Sequence, residues 1–97
     1  MTLEEFRASI KSRTIPTGLT PELEALWQDA SGNWDKAHEL VQEAQSGNGA
    51  WIHAYLHRKE GDLANARYWY RCAVRTQHKG PLEAEWTELI GALLPSA

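Results

Sequence analysis

Ninety-seven residues, 42% of them hydrophobic, suffice for one domain (1–97) with a modest core. A formal net charge of −3 gives no electrostatic case for nucleic acid or an anionic membrane. No apolar run reaches the ~20 residues of a bilayer span, and Cys72, the single cysteine, excludes an internal disulfide and a CxxC metal pair.

Strand signals are nearly absent, because β-branched residues are few and no run alternates with period two. Helical signals recur along the whole chain, so the expected fold is all-α with five to six helices. The opening segment MTLEEFRASIKSRT is amphipathic and lacks the apolar stretch of a secretory signal, so a cytoplasmic location is expected. Thr2 and Glu5 have capping-box spacing and predict an N-terminal helix over residues 3–12. TIPTGLTP (14–21) is a loop. Thr20 caps the next helix, with Pro21 in its first turn, where a missing N–H costs nothing. That helix ends near Ser31-Gly32, and another runs from Trp34 to Gln45. SGNG (46–49) is expected to be a turn. A helix from Ala50 breaks at Gly61-Asp62, the next runs from Leu63 to Gln77, and a last one opens at Pro81 and reaches Leu93. Its apolar side carries Leu82, Trp86, Leu89 and Leu93.

Shifting the chain by 29 residues lays LEALWQDASGNWDKAHELVQEA (23–44) over IHAYLHRKEGDLANARYWYRCA (52–73). Ala25 meets Ala54, Gly32 meets Gly61, Ala37 meets Ala66 and Ala44 meets Ala73. Glycine beside Asn or Asp makes a tight turn between two helices. Small residues on one face let the helices approach, and Val41 and Tyr70 fill the space between. The expected domain therefore stacks two helical hairpins (21–45 and 50–77) between an N-terminal helix (3–12) and a C-terminal helix (81–94).

GNWDKAHELVQEA and GDLANARYWYRCA resemble the second helix of a tetratricopeptide repeat, and NARYWYRCA is similar to part of a Sel1-type repeat. The unit of 29 departs from the tetratricopeptide period of about 34. His53 and His57 also fall where that family has a leucine and an aromatic residue. The resemblance implies a scaffold that binds peptides or proteins, with no catalytic activity and no cofactor.

His53, His57 and Glu60 are spaced four and three apart, so a helix puts them on one face. Two imidazoles at i and i+4 can share a metal ion with a carboxylate as third ligand, or serve as acid and base. HAYLH lacks the Glu after the first His that an HExxH site needs. The plain alternative is a pair of packed, hydrogen-bonded histidines. His38 and His78 are the further imidazoles that could join them.

Charge is unevenly distributed. Residues 51–80 hold six Lys or Arg and two acids; residues 21–50 hold six acids and one Lys. Arg67, Arg71 and Arg75 recur every four residues and predict a basic stripe. Asp35, Glu39 and Glu43 predict an acidic one on the equivalent helix. The stripes either pair with each other, stay solvated, join two copies of the chain, or meet an acidic peptide or phosphate group. Trp51, Tyr55 and Arg58 lie along one side of their helix; the aromatics either pack in the core or its rim, or extend the basic stripe into an aromatic groove. Trp69 and Tyr70 belong to the core with Leu63 and Ala66.

The leading expectation is a non-enzymatic protein- or peptide-interaction module using Trp51, Tyr55, Arg58, Arg67, Arg71 and Arg75, with an acidic peptide or phosphate-bearing ligand as partner. Membrane and nucleic-acid partners are not expected. The alternatives are a small metal-dependent or acid/base enzyme built on His53, His57 and Glu60, and a homodimeric structural protein.

Overall fold

Thr2 accepts from the Glu5 amide while the Glu5 side chain accepts from the Thr2 amide, and this reciprocal cap starts helix α1 (Leu3–Ser12). The structure, a computed structural model, describes residues 1–42 and 47–95. Five more helices follow: α2 (Pro21–Ala30), α3 (Trp34–Val41), α4 (Gly47–Glu60), α5 (Leu63–Cys72) and α6 (Leu82–Leu93). The described residues form no strand, so the all-α expectation holds. None of these helices is long and apolar enough to cross a membrane.

Helix α4 is the centre of the molecule. Residues Gly49 to His57 are buried without a break, because α2, α3, α5 and α6 all pack on it. A helix covered on every side has no amphipathic stripe to read. Around it pack Leu23, Leu26 and Trp27 of α2, Ala37 and Val41 of α3, Ala66 and Tyr70 of α5, and Trp86, Leu89 and Ile90 of α6. Phe6 plugs α1 into the same core.

Four indole N–H groups tie helices together. Trp27 donates to the Ser9 hydroxyl, Trp34 to the Leu56 carbonyl, Trp51 to the Glu85 carboxylate and Trp86 to the Leu26 carbonyl. Each ring supplies apolar area for the core while its polar edge is satisfied on a neighbouring helix.

The two interhelical turns are built alike. Gly32 and Gly61 have φ of 89° and 94°. In each, the glycine amide and the next amide bond back to the preceding helix: Gly32 to Asp29 and Asn33 to Gln28, Gly61 to Arg58 and Asp62 to His57. Asn33 and Asp62 then cap α3 and α5 with their side chains. Positions 29 apart thus share a turn, a cap and a fully buried alanine, Ala37 and Ala66.

Two boundaries differ from the sequence expectation, and a third falls outside the described residues. The turn placed at 46–49 is helical from Gly47, and its first residue, Ser46, lies outside the described residues. Burial of Gly49 overrides its turn preference. The expected end of α3 at Gln45, and with it Glu43 and Ala44, also falls among residues 43–46 and outside the described residues. Helix α5 stops at Cys72 instead of Gln77, because Val74 takes a left-handed conformation with φ of 55°.

Candidate functional site

The pair α4–α5 carries nearly all the residues that the sequence singles out, on two different faces. The inner face holds imidazoles. His53 and His57 project from α4 and meet His38 of α3. The three ring centroids are 4.6, 4.9 and 5.2 Å apart, and one nitrogen from each ring lies within 4.8 Å of the other two. His38 lies flat on Trp34 with centroids 5.0 Å apart, and His53 lies flat on Trp69 at 3.8 Å. The two tryptophans bracket the cluster, and the alternation of α3, α4 and α5 puts them there.

The rings differ in their polar partners. His57 Nδ1 is 2.6 Å from Glu60 Oε2, an arrangement in which Nδ1–H donates to the carboxylate and Nε2 is the acceptor. The side-chain Nδ2 of Asn65 donates to that Nε2 at 3.3 Å. His53 Nε2 faces His38 Nε2 at 2.9 Å, while His53 Nδ1 is buried with no partner. Burial, with the other two imidazoles alongside, pushes His53 down to about 4. His38 is also lowered, chiefly by burial and by His57, against the opposing pull of Glu60 and Asp35. Both rings are therefore neutral near pH 7, the state in which imidazole is a ligand. Glu60 does not complete the triad as a third vertex; it stands behind His57, and His38 takes that place. His78 lies elsewhere, beside Arg58 and Glu88.

The expected aromatic-basic groove is not on the surface. Trp51 and Tyr55 are buried, because every side of α4 is covered. Arg58 points inward: its Nε donates to Glu85 Oε1 at 3.0 Å and its Nη2 to the Gly80 carbonyl at 3.0 Å. Glu85 is fully buried and also accepts from Trp51 at 3.1 Å and from Tyr70. Tyr55 donates instead to buried Asp29, which Lys59 also holds at 3.0 Å. Burial and these carboxylates raise both tyrosine hydroxyls far above their ordinary range. Glu85 had a legible signal, since it lies three residues after Leu82 and four before Leu89 on the apolar side of α6. Asp29 lies among the apolar residues of α2 and had a weaker one.

The outer face belongs to α5. Arg67 and Arg71 are exposed, with no ion pair among the described residues. Asp35 and Glu39 likewise make none, so the two stripes do not neutralise each other within the described chain. Arg75 leaves the stripe: past the end of α5 it folds back, and its guanidinium lies 3.4 Å from the centroid of the Trp51 ring. The same stretch of chain carries Leu63, Tyr68 and Val74, which are 47%, 51% and 91% exposed. Leu63 is thus a surface residue and not part of the core.

No protein-family model matches this chain, and no curated protein or solved structure matches it.

Proposed function

We propose that the domain is a protein-interaction module whose docking element is the outer face of α5, and that it takes an acidic amphipathic segment of a partner protein. The observation that carries this reading is Val74. Its residue type strongly disfavours φ of 55°, yet it occupies the helix-terminating position that glycine holds after α2 and α4. That conformation leaves its isopropyl group 91% exposed, just past the end of the helix that carries Arg67 and Arg71. Backbone strain of this kind concentrates where contacts to another molecule are made, and Val74 adds to Leu63 and Tyr68 as exposed apolar surface. The guanidinium groups of Arg67 and Arg71, which make no ion pair among the described residues, add a preference for carboxylates through bidentate hydrogen bonds. The resemblance of GNWDKAHELVQEA and GDLANARYWYRCA to the second helix of a tetratricopeptide repeat supports the same class of role.

The test is fluorescence anisotropy with a labelled peptide that carries Glu and Leu at helical spacing, and a Lys-for-Glu peptide as control. Binding of the acidic peptide alone, weakening as salt rises and lost in Arg67→Glu/Arg71→Glu, is the expected result. Equal binding by that variant sinks the proposal. Light scattering on the same samples distinguishes a second copy as the occupant: a concentration-dependent dimer lost in Asp35→Lys/Glu39→Lys would assign the face to self-association.

A further inference from the structure

We infer that His38, His53 and His57 form a binding site for one divalent ion of the zinc class, which ties α3 to α4. This site is separate from the outer face of α5 and does not depend on it.

Three observations carry the inference. The first is convergence. Three nitrogens bound to one tetrahedral ion at about 2.0–2.1 Å stand about 3.4 Å apart. Here one nitrogen of each imidazole lies within 4.8 Å of the others, and the His38–His53 pair is already at 2.9 Å. Small rotations of side chains bring all three to ligand distance. Packed imidazoles with a purely structural role need no such three-way meeting.

The second is the carboxylate behind His57. A metal-bound histidine characteristically donates its other ring N–H to a carboxylate, which fixes the tautomer and raises ligand basicity. The 2.6 Å contact between His57 Nδ1 and Glu60 has this form. It leaves Nε2 as the ligand atom, now held only by the side-chain Nδ2 of Asn65 at 3.3 Å. An ion would displace a long hydrogen bond and nothing else at that ring.

The third is incomplete satisfaction. His53 is 4% exposed, and its Nδ1 has no partner. A buried polar atom without a partner costs of order 1–3 kcal/mol and calls for a reason. An ion on Nε2 would give this sparsely bonded ring a strong partner, while Nδ1 stays as it is.

The class of ion follows from the donors. Three neutral imidazoles without thiolate favour Zn(II), Co(II), Ni(II) or Cu(II) over Mg(II) and Ca(II), which take oxygen ligands. Three protein ligands leave one position for water or an added anion. A second group, His57 with Glu60 and Asp62, also falls within reach of one ion. It is the weaker set, because Glu60 is already engaged on Nδ1 of His57 and an Asp62 oxygen caps α5 at the Asn65 amide.

The experiment uses the full chain, stripped with chelator and dialysed. Zn(II) binding is measured by equilibrium dialysis, and Co(II) binding by visible absorption. The expected result is one Zn(II) per chain at micromolar concentration. Intense tetrahedral Co(II) bands should accompany it, together with a higher melting temperature on adding Zn(II). His38→Ala should lose the ion while keeping its far-ultraviolet circular dichroism, since His38 is only half-buried. Glu60→Gln should keep the ion with affinity down about 10–100-fold, and Asp62→Ala should bind as the parent does. Failure of the parent to bind Zn(II) at micromolar concentration overturns the inference. So does undiminished binding by His38→Ala with loss in Asp62→Ala, which would assign the ion to the other group. If His38→Ala does not fold, the Glu60→Gln affinity and the Co(II) spectrum of the parent decide the matter.

Discussion

Arg58 and Glu85 meet across the α4–α6 interface with Nε and Oε1 3.0 Å apart, and their side chains are 13% and 0% exposed. A pair this dry depends on its hydrogen bonds, and Glu85 has three donors while Arg58 also holds the Gly80 carbonyl. Taking one partner away leaves a buried charge uncompensated, which costs about 3–5 kcal/mol. Glu85→Ala should therefore lower the urea midpoint sharply, since a domain of this size has only about 5–15 kcal/mol in total. Replacing both groups by apolar ones, Arg58→Met with Glu85→Leu, should recover much of that loss. A Glu85→Ala variant as stable as the parent would refute this account of the interface.

Gly32 and Gly61 make the same turn at φ of 89° and 94°, with open space where a Cβ would go. Adding a methyl group therefore meets no neighbour, and the cost is conformational alone, about 1–2 kcal/mol for a left-handed residue. Gly32→Ala and Gly61→Ala should each lower stability by that amount, with effects that add in the double variant. The check is chemical denaturation of all four proteins. Strongly unequal costs would mean that the two turns do not play equivalent parts.

These turns were legible because glycine beside Asn or Asp states a backbone requirement within three residues. The Thr2–Glu5 cap and the Thr20–Pro21 start were legible for the same reason. What could not be read was tertiary. The surroundings of α4 depend on four other helices, so its periodicity could not decide between core and groove for Trp51 and Tyr55. Spacing placed His53, His57 and Glu60 on one side of a helix. Only the packing of α3 on α4 brought in His38 and moved Glu60 behind His57. The end of α5 was misplaced because a valine does what a glycine does elsewhere, and no local rule predicts that.

Val74 accordingly separates stability from recognition. Val74→Gly removes the penalty for φ of 55° and gives up almost no burial, since the side chain is 91% exposed. Left-handed strain of about 1–2 kcal/mol is relieved. Greater chain entropy in the unfolded state offsets about 0.5–1 kcal/mol of that. The net expectation is a gain of roughly 0.5–1 kcal/mol. If Val74 is an anchor of the docking face, the same change weakens capture of the acidic peptide several-fold. More stable and poorer at binding is the expected combination. A variant that gains stability and binds unchanged removes Val74 from the site.

The stripped protein should lose stability in mild acid through His53. Its folded value is lowered to about 4 from an unfolded value of 6.5 by burial and by His38 and His57. A depressed folded value means that the unfolded chain binds the proton first. The contribution is therefore fully present above pH 6.5 and is lost as the pH falls toward 4. A displacement of that size corresponds to about 3 kcal/mol at about 1.4 kcal/mol per pH unit. His38, lowered for the same reasons, adds to the loss with the same sign, while Glu60 and Asp35 oppose it. Urea midpoints measured with chelator between pH 7 and pH 4 should fall in the parent. The fall should be shallower in His53→Phe, which keeps an aromatic ring against Trp69 and cannot titrate. Parallel curves for the two proteins would show that His53 takes up its proton as readily folded as unfolded.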